Sequence, residues 1–279
     1  MTGRAAPADP PGRVAGVGIG WRPEIAGFVA GLAGLRFCEV IAETVGPTVP
    51  EALAELRDRG VAVVPHGVAL SLGGADPVEP ARVARLARCA ALFDAPLVSE
   101  HIAFVRAGGV EAGHLLPVPR SREALAALVA NVRRTQGELP VPLALEPIAT
   151  LFDWPDDELT EAQFLTELLD ATDALLLLDV ANVYANARNR GHDPLALLDA
   201  LPLDRVAYAH VAGGSTHAGL YHDTHAHPVP VEVFDLVREL CARHRPPALL
   251  LERDDRYPPA AELRAELDAI ADASGHPRV

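Results

Sequence analysis

Short apolar runs alternate with helix-type stretches eight times along the 279-residue chain. The apolar runs are continuous, as in the strands of a parallel sheet that is covered by helices on both faces. They lie near residues 14–20, 36–42, 61–66, 96–101, 141–146, 174–180, 205–211 and 247–252. Eight successive βα units predict an α/β fold, specifically a (β/α)8 TIM barrel.

Helices are predicted between these runs, and Pro50, Pro194 and Pro230 stand near helix starts, where the missing N–H is not needed. The predicted helices cover residues 23–33, 49–59, 78–92, 121–137, 159–170, 194–200, 230–244 and 259–273. Two longer connections, 105–120 and 212–228, are predicted to be irregular loops. Long loops on this type of barrel usually bind or cover a substrate, so both are candidate functional segments.

The first 13 residues are rich in Pro, Ala and Gly, which predicts a disordered lead-in followed by a single barrel domain over residues 14–279. The lead-in lacks the apolar segment of a signal peptide. The longest apolar runs, such as 174–178, are too short to span a bilayer. The three cysteines are scattered without a CxxC spacing and are expected to be small buried thiols of a reducing compartment. These observations predict a soluble cytoplasmic protein.

The chain is acidic, with a formal net charge of −14 and a pI of about 5.2. Nonspecific binding to nucleic acid or to an anionic membrane needs a basic surface. The charge therefore argues against nucleic-acid and membrane partners.

Ionisable side chains stand where the apolar runs end. In a (β/α)8 barrel the C-terminal ends of all strands meet at one face, where active sites are built. A carboxylate that follows several apolar residues is costly to bury unless it is paired or binds a metal. The residues at these ends and in the loop near 223 are His66, His101, Glu146, Asp179, His210, Asp223, His225 and Glu252.

Some neighbouring residues allow two interpretations. Glu100 and His101 are adjacent in a strand and should point to opposite faces, so His101 is the expected ligand and Glu100 a supporting partner. Asn182 is either a ligand through its carbonyl oxygen or a cap for the next turn. The remaining loop histidines are expected to face solvent or substrate: His217, His222 and His227.

The size of this set predicts more than one metal ion. A single Zn²⁺ or Fe ion needs only three or four protein ligands, whereas eight or nine groups converge here. Two or three ions bridged by carboxylates would use them all. Because no thiolate belongs to the set, Fe, Mn or Zn fits, and Cu(I) or an Fe–S cluster does not.

The motifs of the chain resemble those of the multinuclear non-haem iron-dependent oxidases, also known as domain of unknown function 692. They are GVGIGWRPE, FCEVIAE, PHGVALSLGG, SEHIAF, LALEP, DVANVY, HVAGG, HDTHAHPV and LLERD, and they cover nearly the whole chain in order. The resemblance implies a xylose-isomerase-like barrel with two or three iron ions. It implies that O2 is used to modify a ribosomally made precursor peptide, commonly at Cys and in some cases at Asp or Asn. It also implies a separate partner protein that recognises the leader peptide.

Matching motif to motif, the resemblance implies metal binding by His66, His101, Glu146, Asp179, Asn182, His210, Asp223, His225 and Glu252. It implies a catalytic role for Asp254 in handling a proton or an oxygen species near the iron. The chain departs from the family pattern at Glu43-Thr44, Pro147, Ala181 and Arg253. These departures leave the metal set intact and affect the shape of the pocket.

Three other functions are compatible with such a barrel. The first is a metal-dependent hydrolase, such as a two- or three-zinc phosphodiesterase resembling endonuclease IV, although the charge of −14 argues against a DNA substrate. The second is a sugar isomerase. The third is a metal-storage protein, which only the additional loop histidines favour.

Overall fold

The computed structural model describes residues 14–279. These residues contain eleven strands: β1 (Gly16–Gly20), β2 (Phe37–Ile41), β3 (Ala62–Gly67), β4 (Val98–Ala107), β5 (Val110–Pro117), β6 (Leu143–Pro147), β7 (Leu175–Asp179), β8 (Val206–Val211), β9 (Ser215–His217), β10 (Leu220–His222) and β11 (Ala248–Leu251). The predicted disordered lead-in over residues 1–13 lies outside the described residues. That residues 14–279 form one domain stays a prediction.

The α-helices of the same residues are α1 (Ala26–Ala30), α2 (Glu51–Asp58), α3 (Pro80–Phe93), α4 (Arg122–Glu138), α5 (Glu161–Thr172), α6 (Val180–Arg190), α7 (Pro194–Ala200), α8 (Val231–Arg243) and α9 (Ala260–Ser274). Most predicted helices are confirmed to within a few residues. Pro50 and Pro230 directly precede their helices and Pro194 begins one, as the sequence predicts. In place of the helix predicted over residues 23–33, the structure has a short 3-10 helix at Pro23–Ile25 followed by the five-residue helix α1.

Eight parallel strands form a closed barrel, which confirms the predicted fold. Their order is β3-β2-β1-β11-β8-β7-β6-β4, and β3 pairs with β4 to close the ring. The register places His101 opposite Glu146 and Asp179 opposite His210. Candidate site residues from neighbouring strands therefore lie side by side at the same level of the barrel.

The prediction of irregular loops at 105–120 and 212–228 was wrong, because both segments contain a β-hairpin. Strand β4 continues past the barrel and pairs antiparallel with β5, and β9 pairs antiparallel with β10. Gly108 and Gly109 form the first turn with φ of 56° and 78°. Two consecutive positive φ values fit the tight hairpin turns that match strand twist, and glycine adopts them without strain.

Helix α6 was not predicted, because its three asparagines are poor helix formers and its apolar periodicity is weak. The Asp179 side chain accepts hydrogen bonds from the backbone N–H groups of Ala181 and Asn182, which caps the helix start. Gly191, with φ of 66°, ends the helix. The caps therefore define a helix that composition alone does not indicate.

The core has two parts, one between barrel and helices and one inside the barrel. The inner part, here called the apolar plug, contains no helix residue and consists of Val14, Phe37, Ala62, Val64, Leu97, Ala144, Leu177, Tyr208, Ala248 and Leu250. Because side chains alternate along a strand, the residue two positions after a plug residue also faces the interior, closer to the C-terminal mouth. These next inward positions hold Glu39, His66, Ser99, Glu146, Asp179, His210 and Glu252.

Two smaller expectations can be compared with the fold. Cys38 and Cys89 are buried free thiols as expected, whereas Cys241 is only half-buried. Over residues 14–279, the helices are too short or too polar for any of them to cross a membrane.

Candidate metal centre

A polar layer lies directly above the apolar plug at the C-terminal mouth of the barrel. It consists of the six strand-end residues His66, His101, Glu146, Asp179, His210 and Glu252. Their side chains are buried or nearly so, and the most deeply buried, His210, is 0% exposed. Above the layer is a cavity of about 300 Å³, here called the mouth, whose lining includes Asn182, Asp223, His225 and Asp254. The structure thus gathers the residues that the sequence assigned to one metal site.

Glu146 lies at the centre of one half of the layer. Its Oε2 is 3.5 Å from His66 Nε2 and 3.4 Å from His101 Nε2, and its Oε1 is 3.5 Å from His210 Nδ1. The two carboxylate oxygens therefore face different imidazoles. This is the arrangement that a carboxylate needs to bridge two ions.

Glu252 has the equivalent place in the other half. Its Oε2 lies 2.9 Å from His210 Nδ1 and 3.4 Å from His225 Nδ1. The other ring nitrogen of His225 is 2.6 Å from Asp223 Oδ2 and 3.8 Å from Asp179 Oδ2. Asp223 and His225 come from the loop after β10, so this loop adds two residues to the candidate ligands on the strands.

Four overlapping groups of three residues have ligand atoms within 4.8 Å of one another. A metal ion about 2.0–2.2 Å from N and O ligands fits such spacings. The groups are His66–His101–Glu146, Glu39–His66–Glu252, Glu146–Asp179–His210 and Asp179–His225–Glu252. Because the groups share members, the arrangement suits several bridged ions better than one isolated ion.

Unsatisfied buried atoms support the fit of a metal. Buried polar atoms in proteins nearly always have a hydrogen-bond partner. Here six atoms of the site are buried and form no hydrogen bond of regular geometry, although some lie near an oppositely charged group, as His210 Nδ1 does to Glu252 Oε2 at 2.9 Å. The six atoms are Glu146 Oε2, Asp179 Oδ2, Asn182 Oδ1, His210 Nδ1, Asp223 Oδ1 and Glu252 Oε2. All are nitrogen or oxygen donors, which suits a hard or borderline cation.

The structure distinguishes the two interpretations of Asn182. The cap of α6 is Asp179, whose Oδ1 accepts from backbone N–H groups and leaves Oδ2 free. Asn182 Nδ2 donates to the Pro147 carbonyl oxygen at 3.2 Å, which leaves its Oδ1 buried without a partner. The Asn182 amide oxygen is therefore available to an ion rather than used in capping.

The electrostatics of the layer also call for positive charge. Burial, reinforced by the neighbouring Asp223, raises the pKa of Asp179 to about 8. Burial disfavours the charged forms of Glu146 and His101 as well, but their mutual attraction dominates. The attraction between the carboxylate and the imidazole lowers the pKa of Glu146 to about 2 and raises the pKa of His101 to about 9. Asp179 lies beside Asp223, and a bound cation there would relieve the repulsion between the two carboxylates.

Sequence reasoning missed Glu39, which lies in β2 and is 0% exposed. Its Oε2 accepts a hydrogen bond from the Tyr208 hydroxyl at 2.5 Å and lies 3.0 Å from His210 Nε2. The other His210 nitrogen is the one that faces Glu146 and Glu252. A carboxylate that holds the far nitrogen of a metal-binding His is a common supporting feature. The signal in the sequence was a charged residue inside the apolar run FCEVI rather than at its end.

Ser99 supports the opposite side of the layer. Its Oγ lies 2.8 Å from His66 Nδ1 and at the same distance from the Tyr208 hydroxyl oxygen. Tyr208 therefore links the supports of two imidazoles, His66 through Ser99 and His210 through Glu39.

Glu100 lies beside His101, with its Oε1 3.6 Å from His101 Nδ1. Glu100 Oε2 accepts from Leu70 N–H at 3.0 Å, outside the polar layer. A Cβ on Gly67 would lie 2.7 Å from this oxygen. Gly67 thus makes room for the Glu100 carboxylate.

Asp254 lies at the edge of the mouth, where its side chain is 34% exposed. Its Oδ1 accepts from Arg22 Nε at 3.0 Å, and its Oδ2 lies 3.1 Å from His225 Nδ1. Its backbone N–H donates to the His225 carbonyl oxygen at 2.9 Å. Asp254 and the buried Arg22, which sequence reasoning also missed, therefore fix the loop that carries His225.

The other loop histidines stand apart from the layer. His217 is exposed, His222 and His227 are half-buried, and none of the three lines the mouth. His114 of β5 does line it, because the β4–β5 hairpin folds over this side of the barrel.

Comparison with known proteins places this geometry in context. Residues 16–274 match a family described as "RiPP precursor modification enzyme MbnB/TglH/ChrH". A UPF0276 protein of Streptomyces avermitilis is 54% identical over 91% of this chain, and one of Caulobacter vibrioides is 39% identical over 83%. The chain spans 54% of the length of the Streptomyces relative and 84% of that of the Caulobacter relative.

Solved structures with the same architecture have low sequence identity. Endonuclease IV from Thermus thermophilus superposes with a TM-score of 0.60 at 20% identity, covering 92% of this chain and 99% of that one. A xylose isomerase domain protein from Planctomyces limnophilus gives 0.61 at 14% identity, covering 95% and 98%. These likenesses show the fold alone and confirm the xylose-isomerase-like barrel.

Proposed function

Because the chain belongs to the RiPP precursor modification enzymes of the MbnB/TglH/ChrH family, we propose that it is a multinuclear non-haem iron oxidase. It would use O2 to modify a side chain of a ribosomally made precursor peptide, Cys in the first place and Asp or Asn as the alternatives. Family membership confirms the resemblance carried by the motifs and supports a role in modifying a precursor peptide. The observation that supports a metal centre is the set of buried N and O atoms without a hydrogen bond around Glu146 and Glu252.

The proposed ligands are the six residues of the polar layer with Asn182, Asp223 and His225. Their shared carboxylates suit two or three ions. Bound iron would supply the redox chemistry with O2 that no protein side chain provides. The protein supplies fixed ligand positions and a largely dry cavity.

The supporting residues have separate tasks. Glu39 holds His210 Nε2 and so presents Nδ1 to the layer. Arg22 holds Asp254 Oδ1, which leaves Asp254 Oδ2 beside His225 at the open edge of the mouth. We assign Asp254 Oδ2 the role of holding or moving a proton during turnover, because it is the carboxylate oxygen there that substrate could reach.

The proposal includes a separate protein that recognises the leader peptide, a cytoplasmic location, and no nucleic-acid or membrane partner. The net charge of −14 supports the last point. The unpaired thiols of Cys38, Cys89 and Cys241 support a reducing compartment.

The decisive experiment uses protein purified without oxygen and loaded with Fe²⁺, together with each short open reading frame of its gene neighbourhood made as a peptide. We expect O2 consumption and a change in peptide mass that both depend on iron. Zinc-loaded protein should be inactive. Peptide or phosphodiester hydrolysis by zinc-loaded protein without O2 would instead support a hydrolase and reject the oxidase.

Replacing Glu39 should weaken metal binding, although Glu39, which belongs to one of the four clustered groups, is not among the nine proposed ligands. Glu39→Gln keeps the shape but removes the charge that holds His210. Removal of such an outer partner typically lowers metal affinity about tenfold to a hundredfold. Iron retention against a competing chelator measures the effect. Glu43→Gln is the control, since Glu43 is a neighbouring carboxyl, mostly shielded from solvent, that bonds to Val68 N–H outside the layer. Equal retention in both variants would exclude an orienting role for Glu39.

A further inference from the structure

A second concave surface, here called the arginine groove, lies between α3 and the segment after β2. It has a volume of about 870 Å³. Arg82, Arg85 and Arg88 line it together with apolar groups such as Val45 and Pro47. The three arginines are spaced three residues apart along α3, so they project from neighbouring positions on one side of the helix.

Two of these arginines have no carboxylate partner within residues 14–279. Arg82 pairs with Glu79 and Glu111. Arg85 donates to the carbonyl oxygen of Glu43 at 2.7 Å but forms no ion pair with a carboxylate of those residues. Arg88 is exposed and forms neither a hydrogen bond nor an ion pair within the described chain. The groove therefore carries local positive charge on an acidic protein.

The groove borders the mouth of the metal centre across one short segment of chain. Ile41 lines the mouth, and the next residue, Ala42, lines the groove. Val68, which also lines the mouth, donates its N–H to Glu43 Oε1 at 3.1 Å. A single short segment, residues 41–47, thus separates the two surfaces. An extended chain with one residue in the mouth could pass over this segment into the groove.

We propose that the arginine groove binds an acidic segment of the peptide whose side chain is modified in the mouth. Arginine binds carboxylates through paired N–H donors, and Val45 and Pro47 offer contact to apolar side chains between the acidic ones. A basic segment is disfavoured here by the like charge of Arg85 and Arg88. The inference rests on the proposed peptide substrate, and it adds a recognition site away from the metal ligands.

Peptide binding measured by fluorescence anisotropy tests the groove directly. The probes are two short labelled peptides, one of repeating Glu-Glu-Leu and one of repeating Lys-Lys-Leu. The Glu peptide should bind, and its binding should weaken with added salt. The double variant Arg85→Glu/Arg88→Glu should weaken its binding about tenfold, because two attractions become repulsions.

The chain offers a closely matched control on α4. Arg133 donates two hydrogen bonds to the Ala171 carbonyl oxygen, and Arg134 is exposed. Arg133→Glu/Arg134→Glu therefore changes the net charge equally and also removes these two bonds to a carbonyl. This control should stay within about twofold of the unmodified protein, since the altered charge is remote from the groove. Three results would contradict the proposed binding of an acidic segment in the groove. They are equal weakening of Glu-peptide binding in both double variants, tighter binding of the Lys peptide than of the Glu peptide, and no binding of the Glu peptide.

The two proposals fail in different ways. The groove variants should keep their iron content, because neither arginine belongs to the polar layer. Peptide binding that depends on Arg85 and Arg88, with no O2-dependent change in peptide mass, would reject the oxidase and leave the groove in place. O2-dependent oxidation of the peptide that is equally fast in the Arg85→Glu/Arg88→Glu protein would reject the groove and leave the oxidase in place.

Discussion

Glu146→Gln should deprive the metal centre of iron and abolish turnover. Each oxygen of Glu146 faces a different part of the layer, towards His66 and His101 on one side and His210 on the other. Glutamine keeps the volume but loses the negative charge and one acceptor. The loss should be at least the roughly tenfold to hundredfold in metal affinity or activity that even outer partners cause. Elemental analysis for iron and the peptide assay measure the two effects.

Glu161→Gln is the matched control for this substitution. Glu161 begins α5, and burial raises the pKa of its carboxyl, yet it does not line the mouth. The control should keep both iron and activity. Full iron content in the Glu146→Gln protein would show that Glu146 is not an essential ligand.

Iron loading should raise the Tm of the protein by about 10 °C. In the metal-free protein, Asp179 lies buried beside Asp223, and this raises its pKa to about 8. A bound cation removes that repulsion and binds only the folded chain. A ligand present at about 1,000 times its Kd adds about 4 kcal/mol of stability, and each kcal/mol shifts the Tm of a domain of this size by about 2–4 °C. Calorimetry of metal-free and Fe²⁺-loaded protein under nitrogen measures the shift.

The same measurement on two further samples gives the controls. Mg²⁺ should produce little shift, because it prefers oxygen ligands and keeps several waters. The Glu146→Gln protein should lose most of the shift with Fe²⁺. An unchanged Tm on loading the unmodified protein would contradict a metal centre built into the barrel core.

The barrel and most of its polar layer could be predicted from the sequence because strands have a fixed period. Leu177 belongs to the apolar plug, so Asp179, two residues later, must face the same interior. The same relation links Tyr208 to His210 and Leu250 to Glu252. An apolar run that ends in an ionisable group marks both the strand and its open end, and these two facts together locate the site.

Glu39 could not be found in this way. It also follows a plug residue, Phe37, by two positions, but its strand continues through Val40 and Ile41 before ending. The end of the apolar run therefore lies beyond it. Only the neighbours Tyr208 and His210, which are 169 and 171 residues away in sequence, reveal what it does.

The hairpins and α6 could not be predicted, because turn residues and a helix cap determine these elements and the composition of the segments does not indicate them. In β9–β10 the turn residues Ala218 and Gly219 have φ of 50° and 85°, and the strands they join have only three residues each. Strands this short leave almost no alternation to detect. In α6, a single carboxylate at Asp179 caps a segment that contains three asparagines and little apolar periodicity.

The origin of each ligand group along the chain sets an order of assembly during synthesis. His66, His101 and Glu146 come from β3, β4 and β6, which are consecutive neighbours in the sheet. Their group is complete once residues 62–147 have folded together. Every group that contains Glu252 must wait for β11, which pairs with β1 and β8 to close the ring. A nascent chain on the ribosome can therefore present one three-residue site well before the bridged centre exists.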